Sequence, residues 1–183
     1  MIFRLGLTGS IGMGKTTTAN LFRDAGCEVW DADSAVHRIY KTGGKAVQPI
    51  EKAFPDSVVD GEVSRAKLKK ILQDNPSSFN ILEGIVHPLV AQDRDKFLQN
   101  TTSEVCVFDI PLLFETGGDK NMDAVACVVI DYETQKLRVL ERGTMTLVQF
   151  EKIVAKQLPT KEKTERSHYT IITDTLENAK HQV

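Results

Sequence analysis

Short apolar runs alternate with longer amphipathic stretches along the chain of 183 residues. Five of the runs have the length and composition of buried parallel strands. They cover residues 2–7, 28–30, 104–108, 124–130 and 168–172. The stretches between them carry apolar residues at helical spacing. Strands that alternate with helices predict an α/β fold with a doubly wound parallel sheet of about five strands.

The same spacing predicts the positions of the helices. They cover residues 15–25, 34–41, 47–54, 64–73, 77–98, 133–142, 147–158 and 176–182. Gly26 stands where a glycine commonly ends a helix. Between residues 45 and 100 the helical pattern is interrupted by Pro55, Pro76 and Pro88, which break or bend helices. Because no strand is obvious there, we expect a helical lobe inserted after the second strand.

The composition narrows the class of protein. The length fits one domain, and 41% hydrophobic and 26% charged residues are typical of a globular chain with a real core. A net charge of −2 gives no reason to expect nucleic acid or a membrane as a partner. No apolar stretch approaches the ~20 residues of a membrane span. Cys27, Cys106 and Cys127 are far apart, so we expect free thiols in a reducing, cytoplasmic compartment.

One glycine-rich stretch carries the most specific chemistry. Gly9 is followed by four residues and then by Gly14, Lys15 and Thr16, between a predicted strand and a predicted helix. In this setting backbone N–H groups surround a phosphate at the start of the helix. The residues predicted to bind the nucleotide are Gly9, Ile11, Gly12, Met13, Gly14, Lys15, Thr16 and Thr17. Lys15 would reach the outer phosphates, and the Thr16 hydroxyl would bind Mg²⁺. The alternative is an ordinary glycine-rich turn.

Acidic residues follow two further strands, at the edge where parallel sheets bind ligands. Asp31 and Asp33 come after the second strand, and Asp109 ends the third. Asp109 stands where a phosphate-loop protein holds Mg²⁺, directly or through water. Asp33 can orient an attacking hydroxyl or accept its proton. Capping a helix or loop is the alternative for both, and spacing alone supports an N-cap at Asp33 equally well.

The basic side chains also allow two interpretations. His87, just before Pro88, is more often structural than catalytic in such a position. Arg138 and Arg142 lie one turn apart on a predicted helix. There they either neutralise a transferred phosphoryl group or form a solvated face.

Several segments together resemble the dephospho-CoA kinase family over nearly the whole chain. They are residues 7–16, Asp31-Ala32-Asp33, Arg65-x-x-Leu68, His87-Pro88-Leu89-Val90 and residues 109–115. The resemblance implies a single P-loop kinase domain over residues 1–183, with the fold of the nucleoside monophosphate kinases. Its core would comprise residues 1–33, 104–135 and 168–183. Residues 34–103 would form a helical CoA-binding lobe, and residues 136–167 a lid.

The resemblance also implies a reaction, the ATP-dependent phosphorylation of the ribose 3′-hydroxyl of dephospho-CoA. The products would be CoA and ADP, in the last step of coenzyme A biosynthesis, with Mg²⁺ as cofactor. Lys15, Asp33 and Arg142 would be catalytic, with Asp33 facing the hydroxyl and Arg142 in the closing lid. The residues implied to bind the acceptor are Asp33, Arg65, His87, Pro88, Leu113 and Glu115. ATP and dephospho-CoA would be the partners of a monomer, with an oligomer as the alternative.

Other functions are compatible with a phosphate loop. Another small-molecule or nucleoside kinase of the same fold would differ only in its acceptor. A regulatory GTP-binding switch should carry Asn-Lys-x-Asp and Asp-x-x-Gly motifs, and neither occurs in the sequence. An ATPase dependent on nucleic acid would need a basic groove, which a net charge of −2 does not favour.

Overall fold

The computed structural model describes residues 2–183, which separate into two compact units. The first unit contains residues up to Asp31 and from Thr102 to Val183, and the second contains Ala32–Thr101. Within the described residues the strands are β1 (Phe3–Thr8), β2 (Glu28–Asp31), β3 (Val58–Val59), β4 (Glu62–Val63), β5 (Val105–Asp109), β6 (Ala124–Val129) and β7 (Tyr169–Ile172). The predicted boundaries of core, lobe and lid remain predictions.

Helices connect and flank these strands. The α-helices of residues 2–183 are α1 (Lys15–Asp24), α2 (Ala32–Tyr40), α3 (Val47–Ala53), α4 (Arg65–Asp74), α5 (Ser78–Asn100), α6 (Tyr132–Glu141), α7 (Leu147–Val154), α8 (Thr160–Arg166) and α9 (Leu176–Gln182). Short 3₁₀ helices cover Pro55–Ser57 and Gly118–Asn121. In this part of the chain no helix is long and apolar enough to cross a membrane.

The first unit is built on a parallel sheet with the strand order β2-β5-β1-β6-β7. β1 lies in the middle, with Leu7 opposite Asp109 of β5 on one side and Ala126 of β6 on the other. Leu7 is fully buried, and it belongs to a core that also contains Phe22 of α1 and Val128 of β6. Burying a side chain of this size contributes about 1.5–3 kcal/mol. The predicted doubly wound parallel sheet is confirmed.

The second unit is mostly helical, as expected, but it also contains a β-hairpin that the prediction missed. β3 and β4 pair antiparallel around Asp60 and Gly61, whose φ angles are 50° and 79°. Positive φ at both central residues is typical of a type I′ turn, for which Asp-Gly is a favoured sequence. The Asp-Gly pair therefore indicated a turn in the sequence. Strands of two residues are too short to show the alternation of apolar and polar residues that predicts a strand.

One predicted helix contains an internal proline, and another ends earlier than predicted. α5 covers the stretch predicted as residues 77–98 and continues through Pro88 to Asn100. Leu82, Ile85 and Leu89 of α5 pack against the apolar core of the second unit, and this packing offsets the hydrogen bond that proline cannot donate. The stretch predicted as one helix up to residue 158 ends at Val154, and a separate helix, α8, follows Pro159.

Two glycines of the second unit should respond oppositely to alanine. At Gly61 an alanine must adopt a positive φ, so Gly61→Ala should destabilise the fold by roughly 1 kcal/mol. Gly84 lies in α5 with open space around an added Cβ, so Gly84→Ala should stabilise it by about 0.5–1 kcal/mol. Urea unfolding of both variants measures the difference. Equal effects at the two positions would contradict the turn assignment.

Candidate active site

The glycine-rich stretch forms a loop between β1 and α1. Gly12 and Gly14 adopt left-handed φ angles of 77° and 87°. A Cβ added to Gly9 would lie 2.3 Å from Val128 Cγ2, so only glycine fits there without a shift. Gly14 is the N-cap of α1 and provides no side-chain cap, and the first turn has no acidic residue. The first-turn N–H groups of α1, from Lys15 to Thr17, therefore remain available to an anion.

Neighbouring elements hold this loop through backbone groups of Ile11 and Met13. Thr173, which follows β7, donates its hydroxyl to the carbonyl of Met13 at 2.7 Å. The N–H of Ile11 donates to Gln157 Oε1 at 3.2 Å, and the carbonyl of Ile11 accepts from Gln135 Nε2 at 2.6 Å. Ile11 was predicted to bind the nucleotide, and in this structure both of its backbone groups are engaged by glutamine side chains.

Lys15 and two carboxylates lie together at the ends of β2 and β5. Asp31 and Asp109 are opposite each other in the sheet, and Lys15 forms an ion pair with Asp109. Side-chain exposure is 15% for Lys15 and 4% for Asp109. Burial raises the pKa of Asp109 above its ordinary value, the Lys15 ammonium opposes this shift, and the neighbouring Asp31 adds to it. The site thus brings Lys15 and the carboxyl groups of Asp31 and Asp109 together at one edge of the sheet.

A cavity of about 240 Å³ adjoins the phosphate loop. Its lining residues are Gly12, Gly14, Thr17, Thr18, Arg138, Arg142, Thr173, Thr175, Leu176 and Ala179. Arg138 donates to the carbonyls of Thr173 and Asp174, at 2.7 and 3.2 Å, and is thereby tied to the end of β7. Arg142 is exposed at the C-cap of α6 and lines the same cavity.

The loop after β5 carries two residues that the resemblance assigns to the acceptor site. Leu113 is fully buried in an apolar cluster with Phe114 and Val125. Glu115 Oε1 lies 2.9 Å from Nζ of Lys163 and accepts the Leu158 N–H at 3.1 Å. Burial opposes ionisation of Glu115, but these partners outweigh it and lower its pKa. Contact of Leu113 and Glu115 with a substrate stays a prediction.

Four predicted site residues belong to the second unit. Asp33 is exposed in the first turn of α2, which begins one residue earlier, at Ala32. It is therefore inside the helix and not its N-cap, although a carboxylate there still favours the helix dipole. Arg65 follows the N-cap of α4 and lies 5.9 Å from the ring centre of Tyr40. His87 and Pro88 are exposed on α5.

Sequence patterns gave little indication of the residues that surround the loop. They are single polar residues without a characteristic spacing, namely Gln135, Gln157, Lys163 and Thr173. The position of Thr173 directly after a strand was the one usable signal, because strand ends meet at the ligand-binding edge of a parallel sheet.

A parallel sheet that leads into an uncapped, glycine-rich helix start, with a lysine and paired acids beside it, defines the class of P-loop kinases. Comparisons with known proteins specify the family. The family model described as CoaE, dephospho-CoA kinase, matches residues 3–178. The chain belongs to the dephospho-CoA kinase family, and the prediction from its motifs is confirmed.

Individual relatives agree with this assignment. The dephospho-CoA kinase of Ruegeria pomeroyi is 61% identical over 183 residues, which cover 100% of this chain and 93% of the relative. The structure of TT1252 from Thermus thermophilus is similar with a TM-score of 0.89 and 26% identity, covering 99% of this chain and 93% of that one. A dephospho-CoA kinase from Campylobacter jejuni shares the fold, with a TM-score of 0.71 and 22% identity over 100% of this chain and 94% of its own.

The raised pKa of Asp109 gives a pH dependence that can be measured. A carboxyl whose pKa is higher in the folded state loses stability as the pH rises from its ordinary pKa, ~4, through the folded value. Asparagine has no such loss, so the free energy of unfolding of Asp109→Asn relative to the wild type should increase over this window and then level off. Urea unfolding between pH 3.5 and pH 7.5, without nucleotide or Mg²⁺, measures it.

Asp123 provides a control of opposite sign. Hydrogen bonds from Arg4 lower the pKa of Asp123, so its contribution is present at pH 7 and is lost as the pH falls through the folded value. Asp123→Asn should therefore lose stability at pH 7 and recover towards the wild type in acid. Parallel pH profiles for the two variants would contradict the assignment at Asp109.

Proposed function

We propose that the chain carries out dephospho-CoA phosphorylation with the phosphate loop as donor site and Asp33 as the residue that orients the acceptor. ATP would be the phosphoryl donor, and the ribose 3′-hydroxyl of dephospho-CoA the acceptor. The observation that supports the donor site is the uncapped start of α1. Its first-turn N–H groups are free, and that turn contains no acidic residue. Family membership supports the acceptor half.

The donor phosphates would replace the carboxylate that now neutralises the charge of Lys15. Lys15 would exchange its ion pair with Asp109 for oxygens of the outer phosphates. The base would enter the cavity beside the loop, where Leu176 offers an apolar surface and Thr173 and Thr175 offer polar atoms. Purine pockets of this kind combine apolar walls with a few polar groups.

The residues of the site fit a magnesium ion. Mg²⁺ usually binds one or two carboxylates together with substrate phosphates and water, and so needs no complete cage of protein ligands. Asp31 and Asp109 place two neighbouring carboxyl groups at the end of the sheet, and Thr16 is exposed at the start of α1. Thr16 and Asp109 would hold the ion, directly or through water, and the ion would neutralise charge on the donor phosphates. Among residues 2–183 no group of three or more His, Cys, Asp or Glu side chains forms a protein-only metal site.

The transferred phosphoryl group passes through a loose transition state that requires orientation more than early proton removal. Asp33, exposed in the first turn of α2, would align the 3′-hydroxyl and take its proton as the bond forms. Arg142, exposed beside the cavity, would neutralise the charge of the transferred group. Arg138 is less suited to this role because it is bonded to the end of β7.

The partners of this chain are small-molecule substrates. We infer that it acts as a monomer in the cytoplasm, without nucleic acid or membrane. Its three cysteines are free thiols, as is typical of a reducing compartment, and its net charge is −2.

A coupled assay of ADP formation with a panel of acceptors tests the function. Dephospho-CoA should support turnover, and CoA should appear in equal amount, whereas nucleoside monophosphates and shikimate should not. Lys15→Ala provides the inactive control. Phosphorylation of a nucleoside monophosphate in preference to dephospho-CoA would instead make the chain a different P-loop kinase.

Substitution of Asp33 tests the acceptor half. Asp33→Asn should reduce kcat by about 100-fold, the lower range for a general base, while the Kd for ATP stays within about twofold. Asp56→Asn is the matched control, because Asp56 is an exposed acid in the first turn of another helix of the second unit. A loss of ATP affinity in Asp33→Asn would point to a structural or metal-binding role.

A further inference from the structure

The N–H and the carbonyl of Ile11 are each held by a glutamine from outside the loop. Gln157 Oε1 accepts its N–H at 3.2 Å, and Gln135 Nε2 donates to its carbonyl at 2.6 Å. Gln135 belongs to α6 and is 2% exposed, and Gln157 follows α7 and is half-buried. Both glutamines are far from Ile11 in the sequence, so the surrounding fold, and not the loop itself, provides these contacts.

Next to Ile11 the loop packs closely on α6. A Cβ added to Gly12 would lie 2.4 Å from Val139 Cγ2 and 3.1 Å from the carbonyl oxygen of Gln135. Gly12 itself is at a φ of 77°, a conformation that is accessible to glycine but costly for other residues. The conformation of Ile11 and Gly12 therefore depends on the position of α6 and of the segment after α7.

A buried ion pair holds the segment that carries Gln157. The next residue, Leu158, donates its N–H to Glu115 Oε1 at 3.1 Å, and Lys163 Nζ lies 2.9 Å from the same oxygen. Lys163 is fully buried, and within residues 2–183 neither its Nζ nor Glu115 Oε2 makes a hydrogen bond of good geometry. A buried pair of this kind contributes little net stability, because desolvation offsets the attraction. What it does provide is a defined position for the backbone at Leu158, and hence for Gln157.

We propose that Gln157 and Gln135 are positioning residues for phosphoryl transfer. They hold the N–H and the carbonyl of Ile11 so that the N–H groups of Gly12 and of Gly14 to Thr17 are oriented before ATP binds, and the Glu115–Lys163 pair keeps Gln157 in place. The inference rests on the proposed donor role of the phosphate loop. Preset N–H groups lower the barrier because they need no reorganisation as charge develops on the phosphoryl group.

Gln157→Met tests this directly, because methionine has a similar shape and its sulfur is only a weak acceptor for the N–H. We expect kcat to fall about tenfold, with the KM for dephospho-CoA within about twofold of the wild type. The matched control is Gln149→Met. Gln149 also accepts a backbone N–H, that of Thr146 at 2.8 Å, and it lies on α7, the helix that precedes Gln157. This control should keep kcat within about twofold.

Gln157→Glu separates the acceptor oxygen from the charge. It retains an oxygen for the Ile11 N–H but adds a negative charge beside the phosphate loop. It should therefore raise the KM for ATP several-fold, less so at high salt, while kcat at saturating ATP exceeds that of Gln157→Met. A kcat as low as that of Gln157→Met, with an unchanged KM for ATP, would overturn the proposal.

Binding of a fluorescent ATP analogue distinguishes the remaining outcomes. If Gln157→Met binds ATP more tightly with kcat intact, Gln157 is a placeholder that phosphate displaces, and the proposal is wrong. It is also wrong if kcat is unchanged. Failure of the wild type itself to bind ATP and form CoA would refute the proposed function instead. If urea unfolding shows that Gln157→Met does not fold, Gln135→Met removes the second contact and should show the same loss of kcat.

Discussion

The pairing of β1 with both β5 and β6 is the constraint on which the first unit depends. Because β1 is the middle strand of a parallel sheet, its carboxyl end opens at the same edge as those of its neighbours. This brings the phosphate loop next to Asp109 and, through the pairing of β2 with β5, next to Asp31. The same closeness restricts Gly9 to glycine, since Val128 of β6 leaves no room for a Cβ. One backbone arrangement thus determines both the charge and the shape of the site.

The site itself is locally unfavourable, and the core offsets its cost. The start of α1 has no side-chain cap, two acids lie beside each other, and burial opposes ionisation of Asp109. Each feature would be stabilised by an anion, a cation or both, as the substrates of a kinase supply. Stability lost at functional sites in this way is commonly balanced by well-packed apolar residues elsewhere, here the cluster around Leu7 and Val128.

The phosphate loop is supported from two directions. On one side, Thr173 after β7 binds the Met13 carbonyl, and Arg138 binds the backbone at the same strand end. On the other, Gln135 and Gln157 bind the carbonyl and the N–H of Ile11. A loop with two left-handed glycines would otherwise sample several conformations. A few side-chain hydrogen bonds restrict it to one of them. The glycines allow the conformation, and the surrounding side chains select it.

The sequence by itself determined the strands of the main sheet to within one or two residues, because buried parallel strands are continuous apolar runs. It also predicted the phosphate loop, because Gly9, Gly14, Lys15 and Thr16 lie within one short segment. Only the tertiary structure decided which distant polar side chains meet. Ile11 and Gln157 are 146 positions apart, and no periodicity records such a contact. Their meeting depends on the order of strands in the sheet and on where α7 ends, and both are set by packing and not by local spacing.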